Sequence, residues 1–413
     1  MMKMNKSDVC IIGAGLSGAC IARTLASHNI SVLVIDARNR VGGRLLTAAA
    51  ANGDLGGAWI WPQSEPNMAN LLRTLNIQTA PMHMNGVSMA YTSNGKRHVI
   101  PDGQSAMYAA CGNGAIRVCG GASKVATALL EDHSVRLGMR VTEIDYNDSE
   151  EVKVKCIKMT NKNIDDDGDN ATIITCQAVI LAAPPKVLIN TIKFVPNLPK
   201  QKAESMIATP TWMQEYGKVA VSFPTNWWRL QRMSGISIDH IGAVATWWEA
   251  CSGSEGDGDL PTLAGFVTEK GADILSNFTG DESSCLFEYI IASLKRVYDV
   301  DENTMGIKED AANEITAQGA SEQDGLIVTN GAVTVSYKSW LEDDFTNAKD
   351  DPNQSGKLDF SCDYGDRDLQ SSVEPLFFAG TETAAGAHGH MEGAVIAAER
   401  AATEVLDYLS RCT

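Results

Sequence analysis

A chain of 413 residues, 44% of them hydrophobic, is long enough for two domains and can bury its cores without disulfides. Its formal charge of −17 argues against nucleic acid, whose phosphates require basic patches, and no run approaches the roughly 18 apolar residues of a membrane span. Ten cysteines without a CxxC pair predict a reduced, cytoplasmic setting. Much of the acidity is local: "NIDDDGDN" at 163–170, "SGSEGDGD" at 252–259 and "EDDFTNAKDD" at 342–351 read as solvated loops. The first two leave metal binding as an alternative, but neither has the ligand spacing of a calcium loop, so no metal is expected.

The first elements follow in the order strand, glycine turn, helix, strand. Val9 to Ile12 is a short apolar run, Gly13, Gly15 and Gly18 form GxGxxG, Ala19 to Ser27 has helical composition, and Ile30 to Ile35 is β-branched and apolar. Each glycine has a task. Gly13 permits the tight turn, Gly15 lets backbone approach a pyrophosphate, and Gly18 lets the helix pack on the strand; the N–H groups of Leu16 and Ser17 at the helix start face the phosphates. Asp36, 18 residues after Gly18, ends the second strand where an acid accepts hydrogen bonds from ribose hydroxyls. An acid there disfavours the 2′-phosphate of NADP without separating NAD from FAD. The continuation "DARNRVGGR" does bear on that choice. Ala37, Arg38, Gly43 and Arg44 suit the extended pyrophosphate of FAD, with main chain close at Gly43 and a guanidinium brought in by Arg44. An ordinary surface loop is the plainer alternative.

Further along come "DLGGAWI" at 54–60, "GGASKVATALL" at 120–130, "RLGMRVTEID" at 136–145, "AVILAAPPKVL" at 178–188 and "GKVAVSFPTNWWR" at 217–229. The segments "VKVKCIKMTNKN" and "DGDNATIITCQAVILAAPP" alternate like strands around an acidic turn, as a β-meander does. The chain closes on "LFFAGTETAAGAHGHMEGAVIAAERAATEVL", 376–406, whose glycines at 386 and 389 mark a turn before a helix rich in alanine, glutamate and leucine. In this order the segments resemble the flavin-containing amine oxidases, the group of monoamine, polyamine and L-amino acid oxidases. The two terminal motifs are specific and the middle ones supportive.

The resemblance implies an α/β fold: a discontinuous Rossmann-like FAD-binding domain, 1–80, 118–197 and 370–413, and an α+β substrate domain with a mixed sheet, 81–117 and 198–369. It places Gly57, Ala58 and Trp59 alongside the flavin, Val141 at the adenine through its main chain, and Glu382 at the ribityl and phosphate. The helix starting near Met391, with Ala394 in its first turn, would aim its N–H groups and positive dipole end at the flavin's N1 and C2 carbonyl. Lys218 matches the family lysine that holds a water near flavin N5 and assists reaction with O2; a solvent-facing edge-strand lysine is the alternative. Trp340 resembles the tryptophan that packs near the ring, with core packing as its alternative. Core packing is also the safer reading for most of Trp227, Trp228, Trp247 and Trp248, although aromatic walls suit a cationic or aromatic substrate.

Two departures from the pattern matter. "SWLEDDFTNAKDD" lacks the cysteine through which mitochondrial relatives attach the flavin, so FAD is expected to be non-covalent. Those relatives hold the amine between two tyrosines; one belongs to that missing run and His390 stands in place of the other. The cage is thus lost or rebuilt, and His390 is a polar contact, a weak base or cofactor-adjacent packing. The short stretch between "DLGGAWI" and "GGASKV" abbreviates the cavity roof. The activity implied is oxidation of an amine or amino acid: a hydride equivalent passes from the C–H next to nitrogen to flavin N5, giving an imine and, with O2, H2O2. The alternative is a desaturase or dehydrogenase of a biosynthetic intermediate with another electron acceptor. Dimers are common in the family, and the sequence itself leaves the oligomeric state open.

Overall fold

The computed structural model describes residues 6–48, 53–106, 114–148, 151–159, 171–251, 260–276, 278, 283–307, 316–318, 325–347, 364 and 366–412. The acidic stretches at 163–170 and 252–259 therefore lie outside the described residues. A five-stranded sheet runs in the order Leu376–Phe378, Ala178–Leu181, Val9–Ile12, Val32–Ile35, Ser134–Arg136, and every pairing in it is parallel. Parallel strands need covered faces, and the side-chain period of two supplies both covers. Val9 and Ile11 point into a core shared with the first helix (Leu16–Ser27), the helix Ser123–Leu130 and the C-terminal helix (Met391–Cys412). Cys10, Ile12, Leu33 and Ile35 point the other way, into a core with the second sheet.

That second sheet is the expected meander: Met139–Asp145, Val152–Lys158 and Ala171–Cys176 pair antiparallel in sequence order, and Lys193–Val195 joins parallel at the far edge. The first helix can lie close to its strand because residue 18 has no side chain. A Cβ there would sit 2.0 Å from the carbonyl oxygen of Gly13, a backbone atom that cannot move aside. Fully buried Ile21 and Leu25 on the same helix each contribute about 1.5–3 kcal/mol of apolar burial.

A nine-stranded sheet holds Gly217–Ser222 near its centre, between Thr262–Val267 and Val333–Ser339, and ends in Val87–Tyr91 and Arg97–Ile100. All its pairings are antiparallel except that of Met233–Asp239 with Val87–Tyr91. Trp227, Trp228 and Trp247 are buried in its core beneath the helix Ser283–Tyr298, as structural packing rather than as a substrate wall. No helix among the described residues is long and apolar enough to cross a membrane.

Candidate active site

One cavity of about 1480 Å³ runs from the glycine turn, past the strand ends Ile35 and Ala182, to the start of the C-terminal helix and on to the nine-stranded sheet. It exceeds the roughly 300–1,000 Å³ of a single small-molecule pocket, leaving room for a dinucleotide and a substrate together. Gly13, Gly15, Leu16 and Ser17 line its start, and a Cβ on Gly15 would meet only the carbonyl oxygen of Gly42, 4.0 Å away, so bare main chain faces the space. The first helix has no capping side chain and no acid in its first turn. Its positive end is therefore uncompensated and suits a pyrophosphate. Gly18 is not on the wall; it does the packing work described above.

Asp36 and Ala37 also border the cavity. The Asp36 carboxylate accepts the Ala14 N–H at 2.7 Å and the Arg38 N–H at 2.8 Å, and burial pushes its carboxyl up against the pull of Arg38. Ser17 lines the cavity and has a second task. Its hydroxyl donates to the Ala394 carbonyl at 2.9 Å and accepts the Gly380 N–H at 3.2 Å, so it ties the leading turn to the trailing helix.

Two of the three arginines in "RNRVGGR", Arg38 and Arg44, already have carboxylate partners. Arg38 reaches the cavity wall, but its guanidinium binds the Asp343 carboxylate and the Thr346 hydroxyl and lies 5.1 Å from the Phe345 ring centroid. Asp343, Thr346 and Asn347 are buried, so this half of "EDDFTNAKDD" is not a solvated loop; residues 348–351 lie outside the described residues. Lys338 approaches Asp343 at 2.7 Å. Burial pushes the Asp343 carboxyl up, yet Arg38 and Lys338 outweigh it and hold the group below the ordinary carboxylate range. Gly43 and Arg44 line the cavity too, but Arg44 binds Glu382 through two bonds, 2.6 and 2.9 Å. Glu382, whose side chain is 0% exposed, stands behind Arg44 and off the cavity wall. Its carboxylate is the partner of that arginine and accepts the Trp212 N–H at 3.2 Å.

At the other end of the cavity wall Val141 sits on the strand Met139–Asp145, whose parallel neighbour begins only opposite Glu143, leaving the stretch at Val141 without a strand on that side. The C-terminal helix begins at Met391, and Met391 and Ala394 both line the cavity. The first-turn acid Glu392 does not block this helix end. It accepts from the Asn67 N–H, the Asn67 side-chain amide and the Met68 N–H at 3.1, 2.8 and 2.7 Å, on the helix Pro66–Thr74.

Between these ends lie Gly57, Ala58 and Trp59. The Trp59 indole turns toward the nine-stranded sheet, edge-on to Trp61, Trp248 and Phe266 at centroid distances of 6.1, 4.9 and 6.0 Å. Lys218 is not an edge-strand lysine: all six residues of Gly217–Ser222 are buried. Its ammonium donates to the Gly56 carbonyl at 2.6 Å and lies 5.2 and 5.0 Å from the Trp248 and Phe266 centroids. Burial pulls it down to about 8, with Asp54 opposing, and burial pushes Asp54 up to about 6. Trp340 is buried on the same wall and donates its indole N–H to the Leu55 carbonyl at 2.9 Å. His390 borders the cavity, stacked on Trp61 at 5.7 Å and edge-on to Trp212 at 6.2 Å, with its Nδ1 2.6 Å from Glu65 Oε1.

Sequence reasoning missed Trp61, Trp212, Phe266 and Glu65. Trp61 had a signal, since it follows Trp59 by two positions in "GAWIWP" and alternate residues of an extended chain share a face. Trp212 and Glu65 had none, because only the fold brings them to His390.

Comparison with known proteins bears on this geometry. A family described as flavin containing amine oxidoreductase matches residues 103–406, and an NAD(P)-binding Rossmann-like domain matches residues 11–75. Over 98% of this chain and 86% of the relative, the sequence is 24% identical to amine oxidase [flavin-containing] A of Sus scrofa. A shorter stretch, 24% of this chain and 21% of the relative, is 38% identical to an L-amino acid dehydrogenase of Synechocystis. Among solved structures, a redesigned putrescine oxidase triple mutant shares the fold with a TM-score of 0.69 at 20% identity, over 98% of this chain and 99% of that one. Cyclohexylamine oxidase from Brevibacterium oxydans does so at 0.66 and 19%, over 98% and 100%. The paired motifs at the two ends of the chain, the parallel sheet between them and the match over residues 103–406 make this protein a member of the flavin-containing amine oxidoreductase family and a flavin-dependent oxidoreductase.

Proposed function

We propose that the protein binds FAD non-covalently and oxidises a small amine with O2 as electron acceptor. The observation that carries this reading is the convergence on one cavity of an uncapped helix start, a second helix start 375 positions later (16 to 391), and a buried lysine among aromatic rings. The donor set fits the dinucleotide: main-chain N–H groups at Gly15 to Ser17 for the pyrophosphate, Asp36 for ribose hydroxyls, the open strand edge at Val141 for adenine. The N–H groups at Met391 to Gly393 suit the electron-rich carbonyl edge of the ring, and Gly57 and Ala58 leave space beside it. Residues 341–347, directly after Trp340, contain no cysteine, which supports non-covalent attachment.

Bound flavin supplies the two-electron acceptor; the chain supplies position and charge. Trp61, Trp212 and Phe266 give an incoming cation aromatic faces and hold its C–H bond next to nitrogen in one orientation. The product is an imine, which water hydrolyses, while O2 is reduced to H2O2. Lys218, charged below about pH 8, places a positive charge where oxygen gains electrons and can hold a water there. An amine fits better than an α-amino acid: of the three arginines on the wall, Arg44 is bound to Glu382, Arg38 is bound to Asp343, and Arg140 lies beside Val141 at the adenine end, away from the aromatic rings around Lys218.

The experiment is anaerobic mixing of the flavin-loaded protein with a panel of monoamines, diamines and amino acids, followed by admission of air and peroxide assay. Bleaching by an amine with stoichiometric H2O2 is expected, as is flavin release on acid precipitation. Bleaching that only a dye or quinone reverses would replace the oxidase reading with a dehydrogenase one.

A further inference from the structure

His390 and Glu65 sit 325 positions apart and meet on the cavity wall. The Glu65 side chain is 4% exposed, takes the His390 Nδ1 on Oε1 at 2.6 Å and accepts the Trp61 backbone N–H on Oε2 at 2.9 Å. An ionised carboxylate only accepts, so the ring proton belongs on Nδ1 and the lone pair on Nε2. Nε2 has no protein partner among the described residues, and the ring that carries it is 43% exposed on the cavity side of Trp61 and Trp212. The backbone is pinned as well, since the His390 carbonyl accepts the Thr381 hydroxyl at 2.9 Å and the Ala394 N–H at 3.3 Å.

We propose that Glu65 and His390 form the acceptor that removes a proton from an incoming alkylammonium substrate, with His390 Nε2 as the receiving atom and Glu65 as the residue that positions it. The inference rests on the amine-oxidation reading above. An alkylammonium enters charged at neutral pH, yet its C–H bond gives up a hydride equivalent only when the nitrogen has a free electron pair. Between indole faces the ammonium loses hydration, which favours giving up its proton. In the step itself one substrate N–H bond breaks and an Nε2–H bond forms. The electron pair stays on the substrate nitrogen, no oxidation occurs, and the resulting imidazolium is held against the Glu65 carboxylate. The charged and titratable groups around His390 are Glu65, Lys218 on the same cavity wall, Glu392 in the adjoining helix turn, the Arg44–Glu382 pair bonded to Trp212, and Tyr364 and His388 beyond Trp212.

The test is anaerobic flavin reduction by a monoamine that bleaches the wild type, followed from pH 6 to pH 10. In His390→Phe the reduction rate is expected to fall about 10²-fold at pH 7 and to recover toward wild type at pH 10, where solution already supplies the neutral amine. In Glu65→Gln the reduction rate at pH 7 should fall as well, because Nδ1 loses the carboxylate that orients the ring, and Glu65→Asp should restore it in part. A second readout needs no turnover: among the seven histidines, the ¹⁵N signals lost in His390→Phe should report protonated Nδ1 and unprotonated Nε2 at pH 7, and Glu65→Gln should abolish that preference. An equal loss of rate at pH 7 and pH 10 in His390→Phe, an unchanged rate at pH 7 in Glu65→Gln, or the opposite tautomer would overturn the proposal while leaving the oxidase reading in place. A wild type that no amine bleaches would sink both.

Discussion

The Arg44–Glu382 pair lends itself to a quantitative test, because the sequence and the structure assign Arg44 different work. If its guanidinium serves only a cofactor phosphate, its loss weakens flavin binding and leaves the flavin-free protein as stable as before. The structure instead places a carboxylate with 0% side-chain exposure against two guanidinium bonds of 2.6 and 2.9 Å, with the Trp212 N–H at 3.2 Å as its one further donor among the described residues. Arg44→Met would leave that charge buried beside a single backbone donor, at a cost of about 3–5 kcal/mol in the flavin-free protein. Arg44→Met/Glu382→Gln exchanges the stranded charge for a neutral amide whose oxygen still accepts from Trp212. The cost should then fall to about 1–3 kcal/mol, that of an incompletely paired neutral group. Urea denaturation of flavin-free wild type, both single variants and the double variant gives the cycle, and equilibrium dialysis of FAD gives the cofactor contribution separately. A single-variant cost below about 1 kcal/mol, the range of exposed pairs, or a double variant no better than Arg44→Met, would refute the argument.

Three further outcomes follow from the same coordinates. Lys218→Met should slow reoxidation of the reduced flavin by O2 about 10²-fold with little change in anaerobic reduction; in the wild type, reoxidation should be constant below pH 8 and decline above it as the ammonium titrates, a limb absent from the variant in stopped-flow traces. Gly18→Ala puts a methyl 2.0 Å from the Gly13 carbonyl oxygen, so it should destabilise by about 1–3 kcal/mol or more and release flavin on gel filtration; retention of flavin with an unchanged Tm contradicts the packing described. Trp61→Ala should raise KM for monoamines about tenfold, in keeping with a cation–π contribution of ~0.5–2 kcal/mol, and steady-state rates that leave KM unchanged would remove Trp61 from the substrate wall.

What could be read from the sequence was whatever a local stretch must do to its own backbone. GxGxxG after an apolar run, an acid closing the next strand, and a helix after Gly389 each need only neighbours, and the structure has Val9–Ile12, Leu16–Ser27, Val32–Ile35 and Met391–Cys412 in those places. Side-chain partnership across the fold was hidden. Arg44 with Glu382 and Arg38 with Asp343 join positions 338 and 305 apart, and nothing in "RNRVGGR" shows that its cations already have carboxylates. The acidic run at 342–351 misled for the same reason. Composition marks it as solvated, whereas Asp343 is buried because two cations surround it.

The role of Asp343 also explains why Lys218 is available. Lys218 and Lys338 are direct partners on adjacent antiparallel strands, and like charges directly opposite one another repel. The sheet tolerates both because they are compensated differently. Lys338 is paired with the Asp343 carboxylate, while Lys218 makes no ion pair among the described residues and is held by the Gly56 carbonyl and two aromatic faces. A carboxylate shared between Arg38 and Lys338 therefore removes one of two facing charges from play and leaves the other directed at the cavity. The charge that acts on Lys218 is that of Asp54, which opposes the pull of burial, so Asp54→Asn should favour the neutral amine form of Lys218 and move the reoxidation limb below pH 8 in stopped-flow traces.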